Sequence, residues 1–109
     1  PVSVLKSIEL LKNKQISFAG KYAKRMLGKE FIHSLGHGVG KRIHEKPRIN
    51  FKNNEQIKNG TCFTVEPGVY RKKKYGIRIE DTLVKINNKL KILTPLTKKL
   101  MVIDNNIYK

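Results

Sequence analysis

Gly36, Gly38 and Gly40 alternate around His37, inside a stretch from Phe31 to Pro47 that holds all three histidines of the chain. So little side-chain bulk flanks that imidazole that the backbone can bend closely past its neighbours. The segment therefore reads as extended or looped from Phe31 to Gly40. Histidine is the commonest neutral metal ligand and the side chain that titrates near neutrality. His33, His37 and His44 fall within twelve residues and nowhere else, which points to a site. A basic, Gly-rich surface loop with incidental histidines is an equal reading until other segments are considered.

Helical periodicity precedes this stretch. Leu5, Ile8 and Leu11 recur three apart, with Val4 beside them, which predicts a helix over Val2–Lys14. Ser17 is the expected N-cap of a second helix, Phe18–Leu27, with Ala19, Ala23, Met26 and Leu27 on one face and Gly28 as its stop. Two helices with a short link suggest an antiparallel pair packed on something else.

After the histidines the pattern turns to strands. Ile43–Glu45 reads as a short strand, and Pro47–Asn59 as polar and irregular, with turn signals at Asn53-Asn54 and Asn59-Gly60. Thr61–Tyr70 is strand-like, and Lys72–Lys74 makes a turn. Gly76–Ile86 alternates as one strand, with Ile77, Ile79, Asp81 and Leu83 on one face and Arg78, Glu80, Thr82 and Val84 on the other. Asn87-Asn88 signals a hairpin, followed by short strands at Leu90–Leu93 and Leu100–Ile103. Helices first and strands afterwards predict an α+β domain with a mainly antiparallel sheet.

The chain has 109 residues, 39% of them hydrophobic, and a formal net charge of +16. That is one domain at most, with a modest core. The basic residues are scattered apart from Arg71–Lys74, which reads as a solvated turn rather than a nucleic-acid contact. Cys62 is the single cysteine. It excludes a disulfide within the chain and fits a reducing, cytoplasmic setting, where a buried, inert thiol is expected. No apolar run is long enough to span a membrane, and no charged-then-apolar leader opens the chain. The start at Pro1 leans towards a processed or partial chain.

Two later segments supply the context for the histidines. Glu66 sits in an otherwise apolar or neutral run, Phe63-Thr64-Val65-Glu66-Pro67, and Glu80 shares a strand face with Arg78. A carboxylate facing a core is costly unless it is paired or bound to a metal. With His37, these two make one nitrogen and two carboxylates, a set suited to Mn²⁺, Zn²⁺, Co²⁺ or Fe²⁺. Other motifs fail. The glycine run has three residues where a phosphate loop needs four, Lys41 stands where the last glycine of a dinucleotide fingerprint belongs, and Arg48 occupies the second histidine position of a zincin helix.

The order His33-Ser34-Leu35-Gly36-His37-Gly38-Val39-Gly40, His44-Glu45-Lys46-Pro47, Thr64-Val65-Glu66-Pro67-Gly68 and Arg78-Ile79-Glu80-Asp81 resembles the catalytic domain of the Xaa-Pro peptidases. That group includes prolidase and aminopeptidase P, within the pita-bread metallopeptidases. The resemblance covers nearly the whole chain. It implies the second half of a pita-bread domain and hydrolysis of Xaa-Pro bonds with two divalent ions, Mn²⁺ or Co²⁺ foremost. His37, Glu66 and Glu80 match metal ligands, with Glu80 the bridging carboxylate. His33 and His44 match histidines that orient substrate, and Arg78 the arginine beside the bridging glutamate. The family also uses two aspartates from strands of a first half. Here the only aspartates are Asp81 and Asp104, neither in that place. Implied partners are a peptide with proline second, the missing N-terminal half and a possible homodimer. The competing expectation is a non-catalytic basic module of the same fold that contacts nucleic acid or protein.

Overall fold

The computed structural model describes residues 2–71 and 73–95, with the backbone alone at 2–4 and 13. Two helices, α1 (Val2–Asn13) and α2 (Ile16–Leu27), lead through a 3-10 turn at Gly28–Glu30 into seven strands. These are β1 (Gly36–Gly38), β2 (Glu45–Ile49), β3 (Cys62–Val65), β4 (Gly68–Arg71), β5 (Tyr75–Arg78), β6 (Asp81–Ile86) and β7 (Lys89–Ile92). All pairings are antiparallel. Five strands form a sheet in the order β2-β1-β3-β6-β7, and among the described residues β4 pairs only with β5. The expected α+β architecture is the observed one. The strand expected over Leu100–Ile103 lies outside the described residues, as does Lys72 of the expected turn.

The helices cover one face of the sheet. Leu11 of α1 and Ile16, Ala19 and Ala23 of α2 pack with Phe63, Val65 and Leu83 of the central strands, all fully buried. Leu5 departs from the expected stripe and is 56% exposed. Six residues at 100° each leave it about 120° around the helix from Leu11, so Ser7 takes the inward position instead. Met26 is likewise exposed, and Ile16 and Gly20 complete the buried face of α2. Gly20 has a steric reason. A Cβ there would overlap the backbone of Asn50 and Phe51, so only glycine lets α2 lie against the chain leaving β2. Ser17 is not the N-cap. Gln15 holds that position in extended geometry without a side-chain bond, and Ser17 is buried in the first turn.

Two expected strands are each divided, and this places the site. Thr61–Tyr70 is broken at Glu66-Pro67, and Gly76–Ile86 at Ile79-Glu80. Proline has no N–H for the ladder. Its carbonyl accepts from Ile79 N at 3.2 Å, and Glu66 N turns to the Leu35 carbonyl at 2.6 Å. The chain therefore leaves the five-stranded sheet at both glutamates and continues as the β4–β5 ribbon. The polar segment after Pro47 is also less irregular than expected, since β2 runs to the buried Ile49. The hairpin at Asn87-Asn88 is as read, both residues at positive φ (51° and 62°), the geometry of a two-residue type I′ turn.

Candidate metal centre

Strand parity divides the central strands between two tasks. Phe63, Val65, Asp81 and Leu83 face the helices, and Phe63 pairs across to Leu83 and Val65 to Asp81. Thr64 and Thr82 face the opposite, helix-free side and line a cavity with His37, Glu66, Arg78 and Glu80. On β1, Gly36 lies opposite the core residue Ile49, so His37 and its partner Arg48 share the helix-free face.

His37 is held at three points. Its backbone N–H donates to Thr64 Oγ1 at 3.1 Å. Its Nδ1 lies 3.0 Å from the Gly38 carbonyl, which can only accept, so Nδ1 carries the proton. The other ring nitrogen, Nε2, then presents its lone pair 3.5 Å from Glu66 Oε2. A ligand atom from each of His37, Glu66 and Glu80 lies within 4.8 Å of the others. Metal bonds of about 2.0–2.2 Å put neighbouring ligand atoms on one ion roughly 3–3.6 Å apart, a range that includes the 3.5 Å between His37 Nε2 and Glu66 Oε2.

The electrostatics also suit a cation. Desolvation pushes the Glu80 carboxyl above its ordinary range, and its hydrogen bond with Glu66 and the Glu66 charge act in the same direction. Arg78 and His37 pull it partly back. Two carboxylates meet here with less positive charge than they need, and a divalent ion supplies the difference. The shift predicts a pH dependence. Between the ordinary carboxylate pKa and the raised one, the folded protein holds a proton that the unfolded chain has lost. Glu80's contribution to stability is therefore full at lower pH and falls as pH rises through that window. The denaturation midpoint of the metal-free protein, measured against a Glu80→Gln variant to cancel other groups, drops with rising pH there. Excess Mn²⁺ removes the drop, and a wild-type midpoint that rises relative to the variant's as pH rises would contradict this account.

His33 and His44 line an adjoining cavity of about 890 Å³, and His37, His44 and Glu66 stand on the wall that the two cavities share. The His44 ring lies 4.3 Å from that of His37, tilted by 56°. His33 is fixed between the Ser34 carbonyl, 2.6 Å from Nδ1, and the Tyr70 hydroxyl, 2.9 Å from Nε2. Since Nδ1 faces a carbonyl it is the donor, and the hydroxyl donates to Nε2 in the neutral ring. All six expected residues thus converge. The basis for Arg78 and Glu80 changes, however. They do not share one strand, because β5 ends at Arg78 and Glu80 occupies the break before β6. Glu80 is also exposed to the cavity rather than turned to a core.

The sequence reading missed Tyr70 and Thr64. Tyr70, four residues after Glu66, had a signal in that spacing. Thr64 had one in its parity with Glu66. Asp81 is the buried acid, 1% exposed on the helix side, where Thr94 Oγ1 donates to it at 3.0 Å. Cys62 is a free thiol, half-buried rather than fully so.

One imidazole and two carboxylates at the break between two sheets form a donor set suited to a divalent metal. The sequence pattern of metallopeptidase family M24 matches residues 8–85, and the chain belongs to that family. It is 49% identical over 74 residues to an Xaa-Pro dipeptidase of Pyrococcus furiosus, a match covering 68% of this chain and 21% of the relative. An X-Pro aminopeptidase structure from Thermotoga maritima MSB8 superposes with a TM-score of 0.78 at 34% identity, covering 94% of this chain and 32% of that one. The prolidase of Pyrococcus horikoshii OT3 gives 0.74 at 32% identity, over 91% and 31%. The pita-bread fold expected from the motifs is the fold of these structures. The chain spans about a fifth of the length of the curated relatives it matches. Among the described residues no helix is long and apolar enough to cross a membrane.

Proposed function

We propose that this chain is the C-terminal portion of a two-metal catalytic domain that hydrolyses Xaa-Pro peptide bonds. The observation that carries the reading is the convergence of His37, Glu66 and Glu80 within 4.8 Å, with His33 and His44 on the cavity that His37 and Glu66 line. His37 Nε2, Glu66 and Glu80 would hold the metal, Mn²⁺ or Co²⁺ foremost, with Zn²⁺ or Fe²⁺ also suited to the donors. When bound, such ions acidify water and polarise a peptide carbonyl.

The chain's own residues do the positioning. The Gly38 carbonyl fixes the His37 tautomer, and Arg78 favours the ionised form of Glu80. His44 is exposed beside His37 and would donate a hydrogen bond to charge developing on the substrate. His33, braced by Tyr70, orients the peptide. Two further carboxylates would come from a preceding half of the domain. Asp81 cannot serve, because it faces the helix side, away from the cavity. The partners that follow are a peptide with proline second, that preceding half, and a second copy in a homodimer. The free thiol of Cys62 accords with a reducing cytoplasm.

The test is hydrolysis of Ala-Pro and Ala-Pro-Ala by the full-length, metal-loaded protein. Cleavage that stops on chelation supports the reading, and no metal-dependent cleavage of either peptide overturns it. Tyr70→Phe lowers kcat/KM about tenfold, the equivalent of one hydrogen bond worth roughly 1.4 kcal/mol, with the thermal midpoint little changed. An unchanged kcat/KM would detach Tyr70 from the site.

A further inference from the structure

The β4–β5 ribbon carries Tyr70 and Arg78 to the site, yet little ties it to the rest of the chain. A two-stranded hairpin is marginal by itself, and β5 is exposed along its whole length. Among the described residues, two side chains of the ribbon hydrogen-bond outside it, Tyr70 to His33 and Arg71 to Glu30. These neighbours leave opposite faces of β4, whose register with β5 is unbroken. On one face the Tyr70 side chain lies across Gly68 and Gly76, where an added Cβ would overlap its hydroxyl or its ring. On the other, the Arg71 guanidinium stands 5.7 Å from the ring centre of its cross-strand partner Tyr75, and Arg71 Nε donates to Glu30 Oε1 at 3.1 Å. Both contacts end on one short segment, Glu30 to His33, and that segment is anchored. Phe31 is buried in the core, its N–H donates to the Gly28 carbonyl at 3.2 Å, and its carbonyl accepts from Lys24 Nζ at 3.0 Å. Its ring stands edge-on to that of His33, 5.0 Å away.

We propose that the Glu30–Arg71 ion pair is a positioning clamp that fixes the roll of the ribbon and so keeps the Tyr70 hydroxyl on His33. Its consequence for catalysis rests on the Xaa-Pro peptidase reading. A bond on one face of a strand leaves the strand free to rotate about its own axis. A second bond on the opposite face, to the same anchored segment, removes that freedom. Tyr75 holds the guanidinium in place by cation–π attraction, which lowers the entropy lost when the pair forms. The pair is exposed to solvent, 52% at Arg71 and 41% at Glu30, so it adds little to global stability. Its effect is local. Without it the ribbon rolls, the 2.9 Å bond from Tyr70 to His33 Nε2 lengthens, and His33 loses the donor that orients its ring. Neither Glu30 nor Arg71 lines the cavities of the site, so both act through Tyr70.

Nitrogen NMR of the full-length, Zn²⁺-loaded protein, labelled at histidine, reads the clamp without catalysis. The His33 Nε2 resonance, assigned by its absence in His33→Gln, moves when Tyr70→Phe removes the donor. The expected result is that Glu30→Gln and Arg71→Gln move it in the same direction, and that neither moves it further in the Tyr70→Phe background. Arg71→Lys, which keeps the cation, leaves it near the wild-type position. A resonance that both glutamine variants leave in place, or that they move as far without the Tyr70 hydroxyl as with it, overturns the clamp. In hydrolysis of Ala-Pro, Glu30→Gln lowers kcat/KM about fivefold, the upper end for an exposed ion pair. In the Tyr70→Phe background the same change costs less than about twofold. Equal losses in the two backgrounds overturn the positioning role. The two readings fail separately. Metal-dependent cleavage with an undisturbed His33 resonance in the glutamine variants leaves the peptidase and removes the clamp. A displaced resonance in a protein that cleaves neither Ala-Pro nor Ala-Pro-Ala leaves the clamp and removes the peptidase.

Discussion

Glu80→Gln abolishes tight divalent-metal binding while leaving the fold in place. The substitution keeps the size of the side chain but removes its charge, so the donor set falls from an imidazole and two carboxylates to an imidazole and one. Glutamine also removes the charge whose desolvation, and whose repulsion by Glu66, raise the carboxyl's pKa. The metal-free variant is therefore no less stable than the wild type at neutral pH, and only the metal-loaded state suffers. Loss of an outer-sphere partner costs about 10–100-fold in metal affinity, and loss of a ligand itself exceeds that range. Titration calorimetry with Mn²⁺ and Co²⁺ reads the effect directly. Glu80→Gln binding within tenfold of the wild type would remove Glu80 from the ligand set, and the two-metal reading with it.

Gly36→Ala is the change with the largest expected effect on the fold. A Cβ at Gly36 would overlap the backbone carbonyl of Thr64, an atom fixed in the central strand β3. Neither partner is the flexible end of a side chain, so β1 must move away from β3. That movement stretches the bonds from His37 N to Thr64 Oγ1 and from Glu66 N to the Leu35 carbonyl. Overpacking of this kind costs about 1–3 kcal/mol or more, equivalent to roughly 4–24 °C in thermal midpoint for a domain of this size. Two ligand-bearing segments are displaced together, so metal affinity falls along with stability. Thermal unfolding followed by circular dichroism measures the first effect and calorimetry the second. A midpoint within about 2 °C of the wild type would show that the β1–β3 approach is looser than the structure has it.

Local patterns carried much of this protein on their own. Helical spacing at Ile8 and Leu11, alternation along the strands and the Asn87-Asn88 turn are short-range signals, and each fixed its element within a few residues. The ordered motifs around His37, Glu66 and Glu80 were enough to single out three groups that the fold brings within 4.8 Å of one another. What failed were judgements about where one element stops. Continuous alternation from Gly76 to Ile86 hides the break at Ile79-Glu80, since residues on either side of it keep strand geometry in two different sheets. Ser17 looked like a cap because its hydroxyl suits one, yet burial against the sheet claimed it. Leu5 and Met26 had the right spacing and no partner to cover them.

The sequence by itself determined the chemistry available: one imidazole and two carboxylates in fixed order, with glycines that allow close backbone approach around the first. Only the tertiary structure decided how those groups meet. Glu66 and Glu80 are fourteen residues apart in the chain and come together because the chain leaves the sheet after β3 and rejoins it at β6 at the same level, Val65 pairing with Asp81 and Gly68 with Arg78. Tyr70 braces His33 across a separation of 37 residues, and Arg48 of β2 lies beside His37 through strand register. The physical reason is range. Residue type and local periodicity act over a few residues, whereas the distance between two side chains remote in sequence is set by how strands pair and where they break.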